Sequence, residues 1–126
     1  LHEIDTENPF CIKGIEIVPI NGKHSDRFTV TGYRIGKLAY LTDFKQIEQS
    51  EVEKLKGVDT LVVNALRFRE HHSHFNVEEA LSLVEQLKPR QTLLTHLSHD
   101  IGLHAEPDPA LPEGVKLGYD TLTVEI

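Results

Sequence analysis

The sequence predicts a single α/β domain, residues 1–126, in which a mixed β-sheet is flanked by helices. Short apolar stretches of strand length recur along the chain, strand and helix patterns alternate in its middle, and hairpin patterns lie towards its ends. The length of 126 residues suits one domain, and the 39% hydrophobic content is compatible with a buried core.

The first strand patterns lie in the N-terminal third. Residues 10–20 alternate apolar and polar side chains, which predicts a strand, and the Asn-Gly pair at 21–22 predicts a turn after it. Residues 27–35 predict the next strand. A tight turn at 36–37 leads into a strand at 38–42, so we expect these two strands to form a hairpin.

A short helix and a buried strand are predicted next. Ser50 and Glu53 have capping-box spacing, which predicts a helix that runs to about Lys56 and is stopped by Gly57. The near-continuous apolar run from Val58 to Ala65 is typical of a strand buried on both faces.

A second, longer helix is predicted from Val77 to Leu87. Asn76 is its expected N-cap, Glu79 is placed to complete a capping box, and Pro89 ends it. Its apolar side chains recur at helical spacing, at Val77, Ala80, Leu81, Val84 and Leu87.

The C-terminal part contains one more strand pattern at residues 91–95, then a Pro-rich loop at 106–114 and two last strands at 115–119 and 122–126. We expect strands 58–65 and 91–95 to be central in one sheet. The longer helix should connect them, through a right-handed crossover if they are parallel.

Composition limits the classes of function. No apolar run approaches the ~20 residues that span a bilayer, and the net charge of −7 argues against a nucleic-acid surface. A small anionic substrate held by a metal stays compatible with that charge. The single cysteine, Cys11, is expected to be a small buried strand residue in a protein of a reducing compartment, the cytoplasm. Because the chain has no methionine and starts on Leu-His-Glu, we expect a processed product or a piece of a longer protein.

Asp43 and His96 are the sharpest candidates for a site. Each follows an apolar strand directly, and open α/β sheets bind ligands beyond the carboxyl ends of their strands. Taken singly, a capping aspartate and a loop histidine are the simpler explanations. Together, an imidazole and a carboxylate at matching strand ends favour a metal or catalytic site for Zn, Mn, Fe or Ni.

The remaining histidines are weaker signals. His74 lies two residues before the Asn76 cap, where it could bind phosphate or deliver a proton. His71 and His72 are expected in a solvated loop, and His24 alone indicates only a surface loop. The others are expected to be supporting, exposed or in the N-terminal tail: His99, His104 and His2.

Five stretches of this sequence together resemble the metallo-β-lactamase superfamily, in the branch of the cyclic phosphodiesterases and ribonuclease Z-like hydrolases. The resemblance spans residues 15 to 126, nearly the whole chain. They are V-P-I-N-G-K-H (18–24), G-Y-R-I-G-K-L-A-Y-L-T-D (32–43), N-A-L-R-F-R-E-H-H-S-H-F-N-V-E-E-A-L (64–81), L-T-H-L-S-H-D (94–100) and L-P-E-G-V-K-L-G-Y-D (111–120).

The resemblance implies a fold and a set of roles. The chain would form the C-terminal half of an αββα sandwich that holds two metal ions. His24 would be the last histidine of the first metal, Asp43 would bridge the two metals, and His96 would ligate the second. His74 would be a non-ligand histidine that contacts the scissile phosphate and protonates the leaving oxygen. Asn64 stands where many relatives have an acid.

The main ligand motif of the family, H-x-H-x-D-H, is absent and would belong upstream. The resemblance therefore implies a full-length phosphodiesterase with two divalent ions, Zn or Mn, and a small phosphodiester substrate. This chain alone should bind metal weakly and turn over little.

Two alternatives stay open. One is a non-catalytic binding module, and the other is a structural half-fold that self-associates. Because the missing half would leave one sheet face uncovered, the sequence predicts a homo-oligomer.

Overall fold

The computed structural model describes residues 3–101 and 111–126, and these residues form one mixed β-sheet with two helices on it. His2, His104 and part of the predicted Pro-rich loop lie outside the described residues. The strands are β1 (Phe10–Ile12), β2 (Ile15–Ser25), β3 (Phe28–Ile35), β4 (Leu38–Leu41), β5 (Gln46–Ile47), β6 (Thr60–Asn64), β7 (Gln91–Thr95) and β8 (Val115–Leu117). The helices are α1 (Gln49–Lys54) and α2 (Val77–Leu87).

The strand order is β1-β2-β3-β4-β6-β7-β8, and β5 pairs with β2 beside this path. The pairings β1–β2, β2–β3 and β3–β4 are antiparallel. The pairings β4–β6, β6–β7 and β7–β8 are parallel. The predicted α/β class, the hairpin of β3 and β4, and the placement of β6 and β7 inside one sheet are confirmed. The parallel segment matters for function because its strands end at one common edge.

Helix α2 follows its sequence signals closely. Asn76 Oδ1 accepts a hydrogen bond from the Glu79 N–H at 2.8 Å, and the Glu79 carboxylate accepts one from the Asn76 N–H at 2.8 Å. This confirms the predicted capping box. The helix ends at Lys88, which has left-handed backbone angles, immediately before Pro89.

The turn predicted at Asn21-Gly22 is wrong, because both residues lie inside β2 and pair with β3. Gly22 serves close packing instead: a Cβ there would lie 2.3 Å from Cε1 of Phe44, so only glycine fits. The real turn lies earlier, between β1 and β2, where Lys13 and Gly14 both have positive φ. The predicted strand 10–20 is therefore two strands of a hairpin.

The capping box predicted at Ser50 and Glu53 is also wrong. Helix α1 begins one residue before Ser50, with Glu48 at its N-cap position and no side-chain cap. Its other end is held by the sheet, since Arg34 Nη1 donates a hydrogen bond to the Lys54 carbonyl at 2.6 Å. Tertiary contact, and not a local cap, fixes this short helix.

Two further expectations fail at the sheet margins. Residues 122–126 form no strand: Gln91 Nε2 of β7 donates a hydrogen bond to the Glu125 carbonyl at 3.1 Å, but no backbone ladder joins this segment to β7. Cys11 is exposed, because it lies on the edge strand β1. Within the described residues, neither helix is long and apolar enough to cross a membrane.

The two faces of the sheet differ in cover. Helix α1 contacts β2, and α2 contacts β6 and β7. On the face that the helices cover, Leu41, Val63 and Leu94 lie side by side on neighbouring strands, and all three are fully buried. On the opposite face, called the open face below, Tyr40 is 46% exposed and Ile35 is 38% exposed, while Val62 and Leu93 are half-buried. The open face therefore presents apolar side chains that the described residues cover incompletely.

We propose that two chains associate across the open face, since apolar surface of this kind is seldom left in water. Light scattering should then report about twice the 14.3 kDa mass of one chain. The substitution Tyr40→Glu should return the mass to that of one chain, because a charge would be buried in the interface. Phe28→Glu is the matched control, because Phe28 is 64% exposed at the end of β3 and away from this face. A wild-type monomer at high concentration would refute the proposal.

Candidate metal and proton-transfer site

The candidate site lies at the sheet edge where the parallel strands end. Asp43 follows β4 by two residues, and His96 follows β7 directly. His24 lies near the end of β2, and His74 lies three residues before α2 begins. Three strand ends and one helix entry thus bring these four side chains to one edge.

The backbone turns sharply at two of these positions. Asp43 has φ 66° and His96 has φ 58°, both in the left-handed region that L-residues seldom adopt. Such a conformation costs of order 1–3 kcal/mol and persists only where surrounding contacts enforce it. Lys13, Lys88 and Thr121, outside the site, have positive φ as well, so the angle alone does not mark a functional residue.

Asp43 is the centre of the cluster. Its Oδ1 lies 3.1 Å from His74 Nε2 and 3.6 Å from His96 Nε2. The structure thus brings together Asp43, His74 and His96, as the strand-end positions predicted. Their roles as ligands or as an acid stay predictions.

His24 contacts the backbone of Asp43 and not its carboxylate. Its Nδ1 lies 3.0 Å from the Asp43 carbonyl oxygen. Because a carbonyl can only accept, Nδ1 donates in this contact, and the tautomer that does so in a neutral imidazole has its lone pair on Nε2. This is the arrangement in which histidine usually binds a metal, with one ring nitrogen oriented by the protein and the other on the ion.

The imidazoles pack against one another around Asp43. The rings of His74 and His96 are stacked with centroids 4.6 Å apart, and the rings of His24 and His74 meet edge to face at 4.6 Å. The ligand atoms of His24, Asp43 and His74 all lie within 4.8 Å of one another. Imidazole nitrogen with carboxylate oxygen is a donor set that divalent transition metals accept, so the residues present fit a metal. By this criterion the group consists of His74 and the predicted ligands His24 and Asp43, whereas the predicted ligand His96 lies outside it.

Burial raises the pKa of Asp43, but the hydrogen bond from His74 and the charge of His96 outweigh it and hold that pKa below its ordinary value. Burial lowers the pKa of His74, and the hydrogen bond with Asp43 only partly opposes this. The lowered pKa of Asp43 favours the ionised carboxylate that metal binding requires.

Sequence reasoning missed one participant, Ser73. Its Oγ lies 2.9 Å from His74 Nδ1 and 3.1 Å from His71 Nδ1, and the serine is buried. His71 lies in the expected loop but is half-buried there, and Ser73 links it to the cluster. His72 is exposed, as expected. A serine between two histidines was the available signal, although nothing local shows that its hydroxyl joins them.

Two other features border the cluster. His99 is exposed and begins a short 3₁₀ turn, His99–Ile101. A cleft of about 370 Å³ opens beside His96, with Val62, Leu93 and Tyr119 among its lining residues. It offers space for a small ligand next to one of the candidate site residues.

Known proteins with similar sequence or structure were compared with this chain. Residues 1–97 match a family model described as the beta-lactamase superfamily domain. The crystal structure of a diphosphatase from the PhnP family superposes with a TM-score of 0.91 and 35% identity, over 99% of this chain and 48% of that one. Human tRNase Z, short form, superposes with a TM-score of 0.71 over 95% of this chain and 48% of that one; at 17% identity this likeness concerns the fold alone.

One curated relative carries a different kind of name. An octanoyltransferase of Porphyromonas gingivalis is 38% identical over 123 residues, which are 97% of this chain and 25% of that protein. This chain thus spans a quarter of that curated relative and about half of the solved diphosphatase. The mixed α/β sheet described above is the architecture of the metallo-beta-lactamase fold neighbours.

Proposed function

Because this chain belongs to the beta-lactamase superfamily, we propose that it supplies the C-terminal half of a metal-dependent hydrolase that cleaves a small phosphodiester. One observation carries this proposal: at the edge where the parallel strands end, the imidazoles of His74 and His96 lie against the carboxylate of Asp43, and that of His24 lies against its backbone carbonyl. The relative described as a diphosphatase supports phosphorus–oxygen chemistry, although that name applies to the relative.

In this proposal His24, Asp43 and His96 would hold two divalent ions, Zn or Mn, with Asp43 shared between them. When bound, such ions lower the pKa of a water molecule and polarise the phosphoryl oxygen. His24 is already oriented for this role, since its Nδ1 is fixed by the Asp43 carbonyl. Asp43 contributes an ionised carboxylate, which is the state a bridging ligand needs.

His74 would act on the leaving group. Its ring is held on both sides, by Asp43 at Nε2 and by Ser73 at Nδ1, so the imidazole orientation is fixed before substrate binds. A histidine so placed can donate a proton to the leaving oxygen of a phosphodiester.

The alternative for this chain alone is a non-catalytic role. It would offer His24 and the shared Asp43 to the first ion, and the shared Asp43 and His96 to the second. A catalytic zinc normally has about three protein ligands and a water. Activity is therefore proposed for the longer protein, in the cytoplasm, and this chain alone would be a binding or self-associating module.

Metal removal tests the proposed function. The longer protein, loaded with Mn²⁺ or Zn²⁺, should hydrolyse bis(4-nitrophenyl) phosphate. Treatment with a chelator followed by dialysis should abolish the release of 4-nitrophenol, and either metal should restore it. Hydrolysis that persists at the full rate after the metal content has fallen to zero, measured by elemental analysis, would contradict the proposal.

A further inference from the structure

Asn64, the last residue of β6, is fully buried and uses both ends of its carboxamide on one neighbour. Its Oδ1 accepts a hydrogen bond from the Phe44 N–H at 2.8 Å, and its Nδ2 donates one to the Phe44 carbonyl at 2.9 Å. The side chain thus pairs with the backbone of Phe44 as a neighbouring strand would. Phe44 is the residue directly after Asp43.

Phe44 is anchored from other directions as well. Its ring is fully buried against Gly22 and Gly32, where an added Cβ would lie 2.3 Å and 3.2 Å from ring carbons. Its carbonyl also accepts a hydrogen bond from the Phe75 N–H at 2.7 Å. Because Phe75 directly follows His74, one backbone group ties together the segments that carry Asp43 and His74.

We infer that Asn64 is a positioning residue that, through the backbone of Phe44, fixes the direction in which the Asp43 carboxylate leaves the sheet edge. Asp43 has φ 66°, a conformation that needs enforcement from its surroundings. The two hydrogen bonds from Asn64 supply that enforcement on the side of Phe44. The importance of this geometry for metal binding rests on the proposed function, whereas the geometry itself does not.

The pairing explains why an amide stands at this position. A carboxylate could accept from the Phe44 N–H, but it has no proton to donate to the Phe44 carbonyl. It would also place a buried charge against a carbonyl oxygen. The change Asn64→Asp, although small in volume, should therefore disturb Asp43.

The test compares Asn64→Leu with Thr60→Val. Both substitutions replace a fully buried polar side chain of β6 by an apolar one of similar size, but Thr60 lies at the far end of the strand and hydrogen-bonds to Gln91. The ¹⁵N resonances of the imidazoles and the exchange rates of the backbone amides are measured by NMR on the metal-free chain. Asn64→Leu should shift the imidazole resonances of His24, His74 and His96 and speed amide exchange at Phe44 and Phe75 by at least ~10-fold. Thr60→Val should leave both unchanged.

A second variant keeps the test decisive if Asn64→Leu does not fold. Asn64→Ser retains a single hydrogen-bonding group and should give the same resonance shifts at smaller amplitude. Unchanged imidazole resonances in a folded variant at Asn64 would overturn the inference. Because no metal is present, failure of the proposed function would leave these resonances as expected. Calorimetric titration of the longer protein with Zn²⁺ then measures metal affinity separately. We expect weaker Zn²⁺ binding for Asn64→Leu than for Thr60→Val.

Discussion

Replacement of His74 by alanine is expected to slow phosphodiester cleavage by ~100-fold or more, the range for loss of a general acid. The measurement is kcat of the metal-loaded longer protein with bis(4-nitrophenyl) phosphate. The physical reason is the placement of the imidazole: it is held by Asp43 at 3.1 Å and by Ser73 at 2.9 Å, and alanine leaves no group there that could transfer a proton.

The matched control is His72→Ala. His72 lies two residues away in the same loop and is exposed, so its loss should leave kcat unchanged. Metal content should also be measured in both variants, because the ligand atoms of His74 and those of His24 and Asp43 lie within 4.8 Å of one another. A full rate in His74→Ala would end its assignment as the acid. A low rate accompanied by lost metal would instead identify His74 as a ligand.

The substitution Asp43→Asn is expected to weaken the binding of Mn²⁺ or Zn²⁺ by at least ~100-fold, since even the loss of an outer-shell partner commonly costs 10–100-fold. Asparagine keeps the volume and tolerates the left-handed backbone that Asp43 adopts, so the fold should be retained. It removes the negative charge that a shared ligand must supply between two cations.

The control for this change is Asp59→Asn. Asp59 is an exposed carboxylate that pairs with Lys37 at 2.9 Å, just before β6 begins and therefore at the opposite edge of the sheet. Calorimetric titration after removal of bound metal should give wild-type affinity for this control. Wild-type affinity in Asp43→Asn would remove Asp43 from the metal site.

The parts of the fold that follow local rules could be predicted from the sequence. Helix α2 has a capping box and apolar side chains at helical spacing, and both signals are contained within residues 76–87. Strands β6 and β7 have apolar runs that only a buried sheet satisfies. Because parallel strands end at a common edge, the approach of Asp43 to His96 was predictable as well.

The failures have tertiary causes. The Asn-Gly pair at 21–22 resembles a turn, but Gly22 is needed because the ring of Phe44 packs against it. The contact of Asn64 with Phe44 joins residues on two different strand ends, and no local pattern reveals it. The left-handed backbone at Asp43 is likewise enforced by neighbours from other strands, so the sequence could indicate which residues meet but not how their side chains are held.

Anomalous X-ray diffraction at the zinc edge, from crystals of the longer protein grown with Zn²⁺, tests most directly whether this cluster holds a two-metal centre. Two anomalous peaks are expected about 3.5–4 Å apart, the separation of two-metal hydrolytic sites. The carboxylate of Asp43 should reach both, with His24 on one and His96 on the other. A map with full zinc occupancy elsewhere and no anomalous peak within ligand distance of Asp43 would contradict the proposed metal site.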